Sequence, residues 1–209
     1  MICGCAGAKR GLPARSYQVR ETLYSDVFDR ADTTAWKVEG EKKFHLVDHV
    51  TDGSLDINAA KGITIWDRRK FSGNVMFEFL ATVVDEGGAD DRVSDLNCFW
   101  MATDPQFPED FFQRSAWRGG IFHRYYSLNL YYVGFGGHDN TKSRFRKYNG
   151  TDKPIRPVIK EYTDEKHLIV PNRENMIRIV CYDSLTEYHM NGEKLFELIE
   201  EQPYREGYF

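Results

Sequence analysis

The chain of 209 residues lacks any long hydrophobic run. No apolar stretch approaches the roughly 20 residues that a membrane-spanning helix requires, so no such helix is predicted. The chain also lacks an excess of charge of one sign, because 28 Lys and Arg residues oppose 32 Asp and Glu residues. This balance gives no reason to expect nucleic acid or an anionic membrane as a partner.

Cysteine is scarce as well, with four residues in the chain. No CxxC pair and no cluster of cysteine with histidine occurs, which argues against a structural zinc site. Cys98 and Cys181 each lie in a strand-like run, so we expect buried, reduced thiols, with a disulfide between them as the alternative. No cofactor is expected, although a structural calcium ion in the acidic loop Asp85–Asp95 is left open.

The N-terminal Ile2-Cys3-Gly4-Cys5 resembles the end of a bacterial lipoprotein signal. The charged start and apolar segment of such a signal do not precede it here. Either the true start lies upstream, or the resemblance is accidental. In the first case the protein is exported to the periplasm or cell surface and carries a lipid anchor on Cys5. We expect residues 1–20 to form a leader and residues 21–209 to form one domain.

Most of what remains is typical of short strands separated by turns. Residues 74–84 alternate with Phe77 and Phe79 on one face, which is expected to be buried. Asn191-Gly192 is a strong hairpin signal, and with the Asp183-Ser184 turn it predicts a three-stranded antiparallel meander over residues 175–198. Residues 104–118 are expected to be a loop or short helical turn, and residues 149–160 a loop. This pattern predicts an all-β sandwich of two antiparallel sheets.

Residues 119–148 combine an aromatic-rich segment, a glycine-rich turn and a basic segment. Read as a strand, the aromatic part has two faces. The apolar face, predicted as core, carries Leu128, Leu130 and Tyr132. The polar face carries His123, Tyr125, Ser127, Asn129 and Tyr131. Rings beside amide and hydroxyl groups suit a sugar, which has an apolar C–H face and a hydroxyl rim, so we predict a glycan groove here. The alternative is an edge strand with a hydrated outer face.

Several segments support a family resemblance. The hairpin pattern of Asn175–Phe196 and the strands Phe77–Val83 and Asn97–Ala102 resemble concanavalin A-like lectin/glucanase domains. More narrowly, the segments NCFWMATDP, YYVGFGGHDNT, RFRKY and PYREGYF resemble a family of unknown function from polysaccharide-degrading bacteria that is related to YesU-type proteins. The resemblance implies a concanavalin A-like jelly roll. Such domains usually continue beyond the segment that ends here at Phe209, so we expect either missing closing strands or an edge covered by another segment.

The resemblance also directs the search for chemistry. The Glu-x-Asp-x-x-Glu strand of retaining glucanases is missing, which disfavours a two-carboxylate glycosidase. A lyase or non-classical glycoside-cleaving enzyme is predicted instead, with His123 or Tyr125 as the base and Arg144 and Arg146 neutralising a uronate carboxylate. Oligo- or polysaccharide would be the partner. The residues predicted to bind it are Trp117, Asn129, Tyr131 and Asn140. A non-catalytic carbohydrate-binding module and a purely structural sandwich are the alternatives.

Overall fold

The computed structural model describes residues 16–28, 34–40, 44–47, 53–151 and 156–209. Its strands are β1 (Trp36–Gly40), β2 (Phe44–Val47), β3 (Asp56–Ala59), β4 (Ile63–Asp67), β5 (Phe71–Ser72), β6 (Val75–Thr82), β7 (Leu96–Thr103), β8 (Asn129–Gly136), β9 (Lys142–Asn149), β10 (Val158–Tyr162), β11 (Glu174–Tyr182), β12 (Leu185–Met190), β13 (Glu193–Ile199) and β14 (Glu206–Gly207). Short helical turns span Phe111–Arg114, Ser115–Arg118 (α1), Phe122–Ser127 and Glu165–His167. Cys5 and most of the predicted leader lie outside the described residues.

Two four-stranded antiparallel sheets form the body of the protein. The first sheet has the strand order β10-β9-β8-β7, and the second has the order β13-β12-β11-β6. Two-stranded pairs β1-β4, β2-β3 and β5-β14 complete the described topology. The prediction of an all-β jelly-roll sandwich is therefore confirmed.

The core between the two sheets follows from alternation along their strands. Phe77, Ile177 and Ile179 of the second sheet point inward and are nearly fully buried. Across the interface lie Trp100 and Phe145 of the first sheet, with ring centroids 5.7 Å apart and nearly parallel planes. The indole N–H of Trp100 donates to a hydroxyl of the opposite sheet, so this large residue is buried without an unpaired polar group.

The meander of the second sheet forms as predicted. Strands β11, β12 and β13 are consecutive neighbours, and Tyr182 pairs with Leu185 on either side of the Asp183-Ser184 turn. Asn191 and Gly192 have φ values of 52° and 81°. These positive values are what a type I′ hairpin turn requires, and Asn and Gly are the residues that adopt them at least cost.

A second apolar cluster lies on the outer side of the first sheet. Leu130 and Trp66 are buried there beneath the segment 104–128, and Leu128 at the end of that segment is buried with them. The sequence assigned Leu130 and Tyr132 correctly to a buried face, but it did not reveal that both faces of β8 are covered. As a result, this segment covers part of the outer face of the first sheet.

Two local predictions are wrong. Residues Phe122–Ser127 form a helical turn instead of the first half of a strand, so side chains there do not alternate between two faces. Residues Val158–Tyr162 form edge strand β10, which pairs with β9 through Glu161 and Arg144 and begins within the predicted loop 149–160. The charged residues of β10 masked its periodicity, because an edge strand buries little of one face.

The C-terminal residues close onto the first sheet. Gly207 pairs with Phe71, and Tyr208 pairs with Ala102 of β7. The ring of Phe209 stacks on Phe77 with centroids 4.5 Å apart. A segment near Phe209 thus lies along part of the β7 edge.

The two strand cysteines and the acidic loop predicted as a possible calcium site both lie in the described part of the chain. Cys98 and Cys181 are free, buried thiols, and burial raises the pKa of each to about 12. In the acidic loop, the Asp91 carboxylate accepts backbone N–H groups of Glu86 and Gly88. Its oxygens therefore cap the loop's own backbone, and calcium binding there stays a prediction.

Candidate functional site

Strand register decides which side chains share the outer face of the first sheet. Tyr132 lies opposite Arg146, and Gly134 lies opposite Arg144. Directly paired residues of antiparallel strands point to the same side, so both arginines share the face of Tyr132. Tyr131 points the other way, into the inter-sheet core. The predicted common face of Arg144 and Arg146 is confirmed, but it is the face that sequence alone assigned to the core.

Aromatic rings and guanidinium groups fill this side of the sheet. We call it the aromatic–arginine face, and it comprises Asn97, Phe122, Tyr126, Tyr132, Gly134, Arg144, Arg146, Tyr148 and Arg156. Phe122 contacts Tyr126 and Tyr132 with ring centroids 5.7 and 5.5 Å apart. Phe122 itself is 38% exposed. The rings thus form a wall that is packed on the sheet side and open to solvent on the other.

Gly134 creates a recess at the base of this wall. A Cβ atom at Gly134 would lie 2.0 Å from the Tyr132 hydroxyl oxygen, so only glycine leaves room for the phenol. The Tyr132 hydroxyl donates to Asn97 Oδ1 at 2.9 Å. Burial raises the pKa of Tyr132 well above its ordinary value, and the hydroxyl is therefore protonated at neutral pH.

Arg144 is held at the edge of the face by two partners. Its Nε donates to Glu161, and its Nη1 donates to His138 Nε2 at 3.1 Å. Because arginine has no acceptor, His138 must present a lone pair at Nε2. The hydrogen bond from Arg144 lowers the pKa of Glu161. The side chain of Arg144 is therefore held in one orientation, and its positive charge is balanced by the Glu161 carboxylate.

Arg146 contacts the backbone of Arg156, and among the described residues neither has a close ion pair like that of Arg144, although the Glu161 carboxylate attracts Arg146 at longer range. Arg146 donates to the backbone carbonyl of Arg156, and the Arg156 guanidinium lies 3.5 Å from the ring centroid of Tyr126. Arg156 Nε is buried without a hydrogen-bond partner. Within the described part of the chain, no carboxylate forms an ion pair with either guanidinium.

The four residues predicted as catalytic are not brought together. His123 is exposed on the helical turn, whereas Tyr125 is buried at 1% exposure and donates to Glu39 at 2.8 Å. Tyr125 also accepts the backbone N–H of Gly120, so its hydroxyl is part of a structural network. The prediction that Tyr125 lines an open groove with Arg144 and Arg146 is wrong, because the segment is helical.

The predicted sugar-binding residues divide in the same way. Asn140 donates to and accepts from the backbone of Ile169, so its amide is used as a structural clamp. Tyr131 is 1% exposed and hydrogen bonds to Glu200, and Asn129 lies on the same inward side. Tyr131 is therefore buried instead of lining an open groove, whereas sugar binding by Asn129 and Asn140 stays a prediction. Trp117 is 46% exposed on α1 and remains a candidate, with the Arg114 guanidinium 5.0 Å from its ring centroid.

Sequence reasoning missed Asn97, Phe122 and Tyr132 as members of this face, and it associated Gly134 with a tight bend or the close approach of a sugar. The signal for Gly134 was its position within an aromatic strand, where glycine often marks close approach of another group. The signal for Tyr132 was its polar hydroxyl, which a wholly apolar core does not accommodate without a partner. Neither signal identifies the face without the strand register.

Two further properties concern metal ligands and membrane-spanning helices in the residues that the structure describes. No group of three or more His, Cys, Asp and Glu side chains there could hold a metal ion. No helix in those residues is long and apolar enough to cross a membrane.

Comparison of the whole fold with solved structures agrees with the sandwich. A protein of unknown function with a galectin-like fold from Bacillus subtilis is similar at a TM-score of 0.66 and 15% identity, covering 89% of this chain and 86% of that chain. The carbohydrate-binding module CBM66 from Bacillus subtilis is similar at a TM-score of 0.51 and 14% identity, covering 83% of this chain and 84% of that chain. Identities this low establish the fold alone.

A search of curated proteins gives no significant match. A family model, by contrast, matches residues 57–209, which contain both four-stranded sheets and the whole aromatic–arginine face. The chain therefore belongs to the family described as a domain of unknown function, DUF6250.

Proposed function

We propose that this protein binds oligo- or polysaccharide on its aromatic–arginine face. The observation that carries the proposal is the wall formed by Phe122 against Tyr126 and Tyr132, which shares its face with the partly buried Arg146. An exposed ring can stack on the C–H face of a pyranose, and amide and guanidinium groups can bind its hydroxyl rim. The similarity to a carbohydrate-binding module supports this choice at the level of fold.

The outer face of the second sheet is a weaker candidate. Tyr17 of the N-terminal segment crosses it, packing against Tyr182 and donating to Glu187 at 2.9 Å. Leu80 and Met176 are exposed but aliphatic, and the exposed ring of Tyr182 is already packed against Tyr17. That face therefore supplies a matched control surface for binding experiments.

The direct test measures binding to a panel of neutral and acidic glycans by affinity electrophoresis and calorimetry. We expect Phe122→Ala to weaken binding at least tenfold, because loss of a stacking ring costs roughly 1–3 kcal/mol. Leu80→Ala, a change of similar exposure on the second sheet, should bind as the unmodified protein does. Equal binding by both variants, or no binding to any glycan, would contradict the proposal.

A lyase is the second candidate, and one observation favours it. The Tyr132 hydroxyl lies on the same face as Arg146, which pairs with it across the strands. A guanidinium that neutralises the uronate carboxylate makes the adjacent C–H proton easier for a base to remove, and a protonated phenol can donate its proton to the glycosidic oxygen as the C–O bond breaks. Arg146 and Tyr132 would supply the cation and the acid, and His123, exposed on the neighbouring helical turn, is kept as the predicted base. Absorbance from unsaturated uronate ends, lost in Tyr132→Phe, would establish this activity. Its absence on every acidic substrate that binds would rule it out.

The relation to YesU-type proteins also stays a prediction. The galectin-like neighbour shares the fold over most of both chains, and the resemblance of the segments NCFWMATDP and RFRKY is the finer argument. A shared glycan ligand would support a common function.

A further inference from the structure

We propose that the ligand is an anionic glycan whose carboxylate or sulfate group binds between Arg146 and Arg156. This inference rests on the proposed function and narrows it to a class of substrate. It is drawn from the arrangement of charge on the aromatic–arginine face.

Arg146 contacts the backbone of Arg156, and both guanidinium groups are near enough to the phenol of Tyr148 to act on it electrostatically. Arg146 donates to the main-chain oxygen of Arg156, and Arg156 stacks on Tyr126. Both guanidinium groups also act on the buried phenol of Tyr148, whose ring contacts Tyr126 with centroids 5.7 Å apart. Two cations at one partly buried place repel each other and lose hydration, which is unfavourable unless an anion joins them.

The neighbouring arginine shows how this chain neutralises a guanidinium when no ligand is needed. Arg144 is paired with Glu161 from the adjacent strand. Arg146 lies two residues further along the same strand, opposite Val158 where a second carboxylate could have been placed. Among the described residues the pair Arg146 and Arg156 has no such partner, and Arg156 Nε has a hydrogen to donate. An external carboxylate or sulfate satisfies both the charge and the donors.

The position of the pair suits a sugar-borne anion better than a free ion. The exposed ring of Phe122 contacts Tyr126, and Tyr126 contacts the Arg156 guanidinium. A pyranose that stacks on the exposed ring can therefore extend a charged substituent toward the arginine pair. A free inorganic anion would use the arginines without the wall.

The test compares polymers that differ only in charge. Polygalacturonate is compared with its fully methyl-esterified form, and dextran sulfate is compared with dextran, by calorimetry at 50 and 500 mM salt. We expect one charged polymer of a pair to bind at least tenfold more tightly than its neutral match. The carboxylate and sulfate arms show which anion is preferred.

Variants locate the anion. Arg146→Gln and Arg156→Gln should each weaken binding of the charged polymer about tenfold, and Arg146→Lys should retain part of it because charge remains while the planar fork is lost. Arg178→Gln, which changes an exposed arginine of the second sheet, is the matched control. Circular dichroism of each variant confirms folding, so that a loss of binding is not a loss of structure.

Each outcome separates the two proposals. Equal binding of charged and neutral polymers would overturn the anionic ligand and leave glycan binding intact. Binding of charged polymers that is unchanged in both arginine variants would also overturn it, since the attraction would then be non-specific. No binding to any polymer in this set or in the wider panel would overturn both proposals.

Discussion

At the scale of single residues, the clearest consequence of the structure is a buried ionic network. Arg118 and Glu39 both have fully buried side chains, with Arg118 Nη2 2.7 Å from Glu39 Oε1. Arg118 also lies 3.5 Å from Asp104, and Tyr125 donates to Glu39. The network ties β1 to the segment 104–128, which forms one side of the aromatic–arginine face.

Removing one member of this network should strongly destabilise the folded protein. We expect Arg118→Met to lower the free energy of unfolding by about 3–5 kcal/mol, because Glu39 would remain buried without its cation. Arg178→Met breaks an exposed ion pair with Glu78 and should cost less than about 1 kcal/mol. Urea denaturation measures both, and similar losses in the two variants would contradict the assignment.

A second buried carboxyl group, that of Glu187, predicts how the stability of the protein falls at acid pH. Burial of Glu187 acts to raise its pKa, but hydrogen bonds from His189, Tyr17 and Lys194 outweigh it and hold the pKa at about 2, below the ordinary 4.5. The folded form thus binds its proton less readily than the unfolded form. The resulting stabilisation is complete above pH 4.5 and is lost as the pH falls toward 2.

The pH dependence can be measured against a control. Relative to the unmodified protein, Glu187→Gln should remove about 3 kcal/mol of the stability that otherwise disappears between pH 5 and pH 2. Glu78→Gln, at an exposed ion pair, should leave the shape of the pH profile unchanged. Chemical denaturation at several pH values in this range measures the free energy of unfolding of each protein. If the stability of Glu187→Gln falls as steeply with pH as that of the unmodified protein, the prediction is wrong.

At the scale of elements, β8 carries the most specific prediction. A methyl group at Gly134 would collide with the Tyr132 hydroxyl, so Gly134→Ala should destabilise the protein by about 1–3 kcal/mol through overpacking. It should also displace the phenol from Asn97 and weaken glycan binding.

A double-mutant cycle isolates this contact. In a Tyr132→Phe background the nearest atom is removed, and the cost of Gly134→Ala should fall by a measurable part. Thermal or urea denaturation of the four proteins gives the coupling free energy. Additive costs would mean that Tyr132 does not occupy the space above Gly134.

The elements also show what sequence patterns can and cannot decide. Strong alternation in β6 and the Asn191-Gly192 turn predicted the second sheet correctly, because one inward face and one turn type leave little choice. The helical turn Phe122–Ser127 was missed since its rings and polar residues alternate by chance over a few positions. This miss also misplaced His123 and Tyr125.

The candidate site was predicted in part for a related reason. Arg144 and Arg146 were correctly placed on one face by their spacing of two. Their aromatic neighbours were predicted on the wrong side of β8. Tyr131 and Tyr132 are both buried, one on each face of the strand, so hydrophobicity does not distinguish the two faces. Only the pairing of Tyr132 with Arg146 resolves the choice, and pairing is a long-range property of the fold.

At the scale of the whole molecule, the two outer faces have different roles in this account. One carries rings, a glycine recess and a pair of arginines without carboxylate partners in the described part of the chain. The other is crossed by the N-terminal segment through Tyr17 and Glu187. The inter-sheet core between them holds both in place, as expected of a jelly roll whose function lies in surface residues.

The most direct measurement is an NMR titration of the isotopically labelled protein with the glycan that binds most tightly in the panel. We expect amide shifts on binding to cluster at Asn97, Tyr132, Arg146 and Arg156, with little change at Arg178 and Glu187 on the opposite sheet. Shifts that cluster on the second sheet, or that avoid the aromatic–arginine face, would contradict glycan binding at this face.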